Sequence, residues 1–251
     1  MPTSASIEIQ EPAAASTTIG ESFRNAAQRF GDHDALVVSD QRVRVTYSEL
    51  WTEVDRAARA FLALDVRRGD RVGMWAPASY EWVVTQLAIA RIGATLVTID
   101  PACDAAELQE QLSKSHIGVL MMTRAFDGAN HVQMVVDVLG SCPELDRAIL
   151  LDDDWEWFVA SGGAIGDEQL AERERRQDLD EPINIQFRRC SIDDYMFAAL
   201  SHRDVLDKAC SPARLPKRDT RDRGPVPVIY QRLGTLLGTL VCADHGACLV
   251  M

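Results

Sequence analysis

Apolar positions along this chain change period in a way that marks off successive strands and helices. The clearest stretch runs from Arg67 to Pro101. Arg71 to Trp75 is a short apolar run after a Gly-Asp turn, which predicts a strand, and Ala76-Pro77 interrupts it. From Ser79 the spacing becomes helical: Trp82, Val83, Leu87, Ala90 and Ile92 fall on one side, and Gly93 stands where a helix-ending glycine belongs. Residues 94–99 form a second apolar, β-branched run, closed by Asp100-Pro101. Two buried strands joined by a helix predict a parallel pair. Ligands of parallel sheets sit beyond the carboxyl ends of the strands, which puts Trp75 and Asp100 near any chemistry.

The same reading extends outward. Residues 1–19 form a flexible lead-in. Ile19 to Phe30 predicts a helix, with Phe23, Ala26, Ala27 and Phe30 on one face. Residues 35–38 and 43–46 flank a polar turn and predict a hairpin. Thr46 and Glu49 have capping-box spacing and open a helix to about Leu64; Asp104 and Glu107 do the same for a helix to Ser115. Strands are expected at 117–122 and 148–151, with a helix at 131–139 between them. This order predicts an α/β fold, a doubly wound, mainly parallel sheet with flanking helices. Residues 152–180 are acidic and glycine-containing, and read as a surface connection or an exposed helix. A strand at 183–187, a helix at 200–209, an extended proline-rich loop at 211–227 and a helix-then-strand at 231–250 complete the pattern.

Composition narrows the possibilities. The 251 residues can bury a large core, and 47% are hydrophobic. The net charge of -12 disfavours nucleic acid and anionic membranes as partners, since phosphates need clustered Lys and Arg. The N-terminus has no basic start and carries Glu8 and Glu11, unlike a signal peptide, and no apolar run is long enough to span a bilayer. Six scattered cysteines (Cys103, Cys142, Cys190, Cys210, Cys242, Cys248) read as reduced thiols in the cytoplasm.

Local clusters weigh against special chemistry. Cys242, His245 and Cys248 lack a fourth metal ligand and a tight knuckle, so no metal is expected there. Ser161 to Gly166 resembles an anion loop, but no strand leads into it. Arg214, Lys217, Arg218, Arg221 and Arg223 are interrupted by Asp219 and Asp222, which describes a solvated loop. Trp51 and Trp82 lie on apolar stripes and are assigned to the core.

Several segments together resemble the AMP-forming acyl-CoA synthetases of the adenylate-forming superfamily, in particular a fatty-acid-activating branch. They are AQRFGDHDALV, the long run from Arg44 through Pro101, EPINIQF, LSHRDVL and HGACLV, and the resemblance spans residues 19–251. It implies the N-terminal part of the large domain of such enzymes. It implies an acyl acid as substrate, ATP and Mg for forming an acyl-adenylate, and CoA as acyl acceptor. In that family the INIQF strand leads into a glycine-rich phosphate loop, TSGTTGxPKG. Here residues 188–197 read Arg-Arg-Cys-Ser-Ile-Asp-Asp-Tyr-Met-Phe. By resemblance Cys190, Asp193 and Phe197 stand at glycine positions and Met196 at the lysine, while Ser191 keeps a hydroxyl at a threonine position. Arg188 and Arg189 are the available compensating cations. Acyl-pocket positions fall at Tyr230, Gln231 and Gly234, with Gln231 at a histidine and Leu233 at a phenylalanine. His202 is expected to hydrogen-bond locally at a helix start. By resemblance, the family's later segments are expected to have no counterpart within these 251 residues. The expectation is an inactive or incomplete synthetase-like chain, or a non-catalytic module that self-associates or pairs with a full-length synthetase.

Overall fold

The computed structural model describes residues 16–189, 195–209, 223–225 and 233–251. In chain order the first elements are α1 (Ile19–Phe30), β1 (Asp34–Val38), β2 (Val43–Thr46), α2 (Tyr47–Ala63), β3 (Arg71–Trp75), α3 (Tyr80–Ile92), β4 (Thr95–Thr98), α4 (Ala105–Ser115) and β5 (Ile117–Met122). A small hairpin, β6 (Ala125–Phe126) and β7 (Ala129–Asn130), precedes α5 (His131–Val138) and β8 (Arg147–Leu150). Then come α6 (Trp155–Ser161), α7 (Asp167–Arg175), β9 (Pro182–Arg189), β10 (Tyr195–Ser201), α8 (His202–Ala209), β11 (Arg223–Pro225), α9 (Gly234–His245) and β12 (Cys248–Val250).

The caps explain most boundaries. Thr18, Thr46 and Asp104 each accept from the backbone N–H three residues on, and Glu21, Glu49 and Glu107 reach back to close the box. Ser79 caps α3 through the Trp82 N–H at 3.1 Å, and Gly93 ends it at φ 71°, a left-handed conformation that favours glycine.

The central sheet has six strands in the order β10-β9-β4-β3-β5-β8. All neighbours pair parallel except β9 with β10, which are antiparallel. Alternation along its strands feeds two cores. Val72, Met74, Leu96, Val119 and Met121 face α1, α2, α3, α6 and α9. Trp75, Val97, Leu120, Met122 and Ile185 face α4 and α5. A sheet covered on both sides is the doubly wound α/β arrangement expected. α3 is buried from Trp82 to Ile92.

A second, four-stranded sheet has no counterpart in the sequence reading. Its order is β11-β12-β1-β2, with β12 parallel to β1 and to β11. The β1–β2 hairpin therefore gains a partner from far along the chain. Tyr47 seals the junction, its buried hydroxyl donating to the Ala247 carbonyl at 2.6 Å.

The acidic segment is also refined. Its polar residues flank an apolar face: Trp155, Phe158, Val159 and Leu170 are buried in the main core. Phe158 meets Phe61 edge-on at 4.8 Å between ring centres. A side chain on Gly162 would lie 2.6 Å from the Ala60 backbone nitrogen, so glycine is what lets α6 end against α2. No helix among the described residues is long and apolar enough to cross a membrane.

Candidate functional site

The carboxyl edge of the six-stranded sheet gathers the features that could bind a ligand. β3 ends there at Trp75, β4 at Thr98 and β5 at Met122. β9 pairs with β4 as far as Thr98 opposite Gln186, then continues to Arg189. The residues that connect β9 to β10, 190–194, lie outside the described residues. Met196 and Phe197 are strand residues of β10, opposite Arg188 and Phe187. Leu200 and Ser201 also belong to β10, so the helix expected at 200–209 begins two residues later, at His202. Pairing with β9 holds those two residues extended.

A pocket of about 330 Å³ opens at the same edge, lined by Met74, Pro77, Trp82, Thr98, Asp100 and Phe126 among others. Its walls are mainly apolar. The Thr98 hydroxyl is buried without a hydrogen-bond partner among the described residues, as are the Thr123 hydroxyl, His131 Nδ1 and Gln186 Nε2. Buried polar atoms are normally satisfied, and unpartnered ones also occur at Thr85, Gln86, Gln111, Gln177 and Asn184, so it is the pocket itself that singles out this edge.

Trp75 and Asp100 meet there as expected. The Trp75 indole Nε1 donates to the Asp100 carbonyl at 3.0 Å, and an Asp100 carboxylate oxygen accepts from the Ala102 N–H at 3.0 Å. Cys103, close by, is an unreactive thiol: burial, with Glu107 and Asp100, pushes its pKa up to about 12. His131, absent from the sequence reading, stacks on Trp75 with ring centres 3.7 Å apart. Its only sequence signal is a lone histidine at a helix start.

Ser191, Tyr230 and Gln231 lie outside the described residues. Gly234 opens α9, a helix that packs its apolar residues into the main core. The side chains of Trp82 and Trp51 part company. Trp82 is buried, whereas Trp51 is half-buried beneath the Arg91 guanidinium, 4.1 Å from its ring.

His202 corrects the expectation of a local bond. It is buried, and its Nδ1 accepts from the Ile19 N–H at 3.2 Å, across the fold at the start of α1. Burial pushes its pKa down to about 4, which keeps the ring neutral and able to accept. Packing of α8 against the first residues of the fold, invisible to local pattern, is the reason.

Among the described residues no three His, Cys, Asp or Glu side chains are grouped to hold a metal, so no role for Mg is built on them. Cys103 and Cys142 are buried free thiols.

Comparison with known proteins places this geometry. The family model described as AMP-binding enzyme matches residues 23–187. The mitochondrial medium-chain acyl-CoA ligase ACSF2 of Mus musculus is 32% identical over 267 residues, covering 94% of this chain and 42% of its own length. The chain thus spans about two-fifths of that relative. The N-terminal domain of FACL13 from Mycobacterium tuberculosis superposes with a TM-score of 0.72 at 23% identity, over 94% of this chain and 57% of that one. A long-chain-fatty-acid-CoA ligase (FadD1) from Archaeoglobus fulgidus gives a TM-score of 0.79 at 18% identity, over 98% of this chain and 48% of that one. At these identities the structural matches carry the fold alone. The family match over most of the chain carries more: this chain belongs to the AMP-binding enzymes, and its relatives are acyl-CoA ligases.

Proposed function

We propose that this chain is an acyl-CoA-ligase scaffold that keeps the sheet edge on which its family activates an acyl acid but does not itself hold ATP productively. One observation carries the reading: the residues joining β9 to β10 are Cys-Ser-Ile-Asp-Asp, with no glycine and no lysine. A phosphate cradle needs backbone N–H groups brought close to the anion, which glycine permits, and a fixed positive charge. Asp193 and Asp194 supply the opposite sign. Each unit pair at 4 Å and an effective dielectric near 20 is worth roughly 4 kcal/mol. That equals the binding energy of a millimolar nucleotide, about 4 kcal/mol, so the reversal of sign is decisive.

The family reaction, with ATP and Mg forming the acyl-adenylate and CoA accepting the acyl group, is the one this scaffold is proposed to resemble and, as it stands, not to complete. Fatty acids are the proposed acyl class, with Tyr230, Gln231 and Gly234 at the acyl pocket and Ser191 as the residual phosphate-side hydroxyl. The reduced thiols support a reducing compartment, the cytoplasm in this proposal. Calorimetry with MgATP tests the reading, on this chain and on a version with residues 188–197 replaced by TSGTTGFPKG. Binding by the replaced chain alone is the expected result. Binding by the unaltered chain, or acid-dependent ATP–pyrophosphate exchange by it, overturns the proposal.

A second reading, a non-catalytic partner of a full-length synthetase or of another copy of itself, is favoured by Trp157, a tryptophan 63% exposed on α6. Light scattering with and without a full-length synthetase decides it: a monomer in both mixtures removes this reading.

A further inference from the structure

The helix α5 carries more apolar surface than the sheet beneath it covers. Its sequence is HVQMVVDV, and Leu139 continues the helical path at φ -54°, ψ -40°. His131, Val135 and Val138 are buried. Val132, Val136 and Leu139 fall beside them, within about 60° of one another around the axis at about 100° per residue. This flank leaves the covered face by degrees. Val132 is still packed against the core that α4 and α5 enclose, whereas Val136 is 59% and Leu139 47% exposed. Among the described residues three large hydrophobic side chains are exposed, and the third is Trp157, far away in sequence on α6. Two of the three thus share one flank of one helix, three residues apart, the relation in which side chains of a helix meet a partner together. Single apolar side chains scattered over a surface need no explanation, but a flank that carries the core outward marks an interaction surface.

Charge chooses the occupant. Asp137, next to Val136, accepts from the Gln133 amide at 2.8 Å and meets no Lys or Arg among the described residues. Asp127, in the hairpin turn before α5, meets none there either. Glu144, just past the turn Leu139–Ser141, holds the exposed His116 at 2.6 Å. The Lys and Arg residues between Asp104 and Arg147 are already committed: Lys114 to Glu110, Arg124 to Asp153 and Arg147 to Asp146. Carboxylates therefore stand at both ends of the flank and along it. A second copy of this chain would set those carboxylates against themselves, because a two-fold contact pairs the same patch with itself. We infer that this flank of α5 docks a basic amphipathic helix of another protein, with apolar residues laid on Val132, Val136 and Leu139 and with Lys or Arg beside them reaching Asp137, Asp127 and Glu144. The apolar contact supplies the affinity, and the carboxylates select the partner and fix its direction.

The inference uses neither the β9–β10 residues nor Trp157, so it stands or falls apart from MgATP recognition. Calorimetric titration of the full chain with two synthetic peptides tests it, each about 18 residues long and of identical Leu and Lys composition. One places leucine at i, i+3, i+4 and i+7; the other has the same residues in an order without an apolar face. At about 0.15 M salt the first should bind at least about tenfold more tightly than the second. Val136→Ser with Leu139→Ser should weaken the first peptide about tenfold. Asp137→Asn should weaken it severalfold and make its affinity less sensitive to salt. Trp157→Ser should leave it unchanged. No binding, equal binding of the two peptides, or binding that survives Val136→Ser with Leu139→Ser overturns the inference, as does loss of binding in Trp157→Ser. Light scattering closes the remaining route. A monomer is expected without peptide; a dimer that Val136→Ser with Leu139→Ser dissociates makes a second copy the occupant and overturns the inference as well.

Discussion

Two regions of the central sheet meet opposite fates in sequence. The β3-α3-β4 unit is determined several times over: Ser79 and Gly93 cap its helix, both strands pair on both sides, and α3 is enclosed along its length. Its outer anchor is equally redundant. Arg91 lies over Trp51, donates to Asp55 at 2.8 Å and to Glu174, and Arg24 and Arg59 reach the same two carboxylates. Burial pushes the Asp55 carboxyl up, but Arg59 and Arg91 hold it below the usual range. The β9–β10 hairpin pairs antiparallel with a shift between Leu200 and Ser201, and on the function proposed above the residues that join its strands lack the glycines and the lysine of a phosphate cradle. Backbone pairing specifies a strand edge without specifying what is mounted on it. On that proposal, a fold can outlast the chemistry of its site.

The contrast sharpens under substitution. Arg91→Ala removes a buried cation from two carboxylates and should cost about 3 kcal/mol in urea unfolding, softened by Arg24 and Arg59. A change below about 1 kcal/mol would show that the anchor is redundant to the point of idleness. His202 ties the end of the second region to α1, since it follows β10 and accepts from the Ile19 N–H. Its depressed pKa implies stability present at neutral pH and lost as pH falls from about 6.5 to about 4, worth about 3 kcal/mol in total. His202→Asn should flatten that acid limb in pH-dependent melting; an unaltered limb assigns it to other groups. Ser79→Ala removes one cap and should lower stability by about 1 kcal/mol. Smallest of all, Asp193→Asn with Asp194→Asn should move stability by less than about 0.5 kcal/mol while weakening repulsion of MgATP in calorimetry. A large loss of stability there would erase the distinction between the two regions.

The elements of the fold were legible wherever a local signal ended them. Thr46, Ser79 and Asp104 announce helix starts by side-chain chemistry, and the Ala76-Pro77 break with the change of period separates Arg71–Trp75 from the helix after it. What stayed hidden depends on distance along the chain. The pairing of β12 with β1, the burial of Trp155 and Phe158, and the reach of His202 to Ile19 are tertiary choices with no local signature. The site was half legible. Trp75 and Asp100 followed from topology, whereas His131 required knowing that the Pro101 turn and the hairpin before α5 converge. Ser191, Tyr230 and Gln231 rest on resemblance alone.

The hydrogen bond from Tyr47 to Ala247 joins residues 200 apart in sequence. On a ribosome this separation is a delay. The β1–β2 hairpin and the N-terminus of α2 emerge early, but the strand that covers β1 arrives only once Cys248–Val250 has been made. Until then Leu36 and Val38 belong to an open strand edge, a surface that invites pairing with other chains. Contacts of such span also slow folding, because a long loop must close before they reward it. The nascent chain is therefore most exposed to aggregation, and most dependent on chaperones, during the synthesis of its own middle.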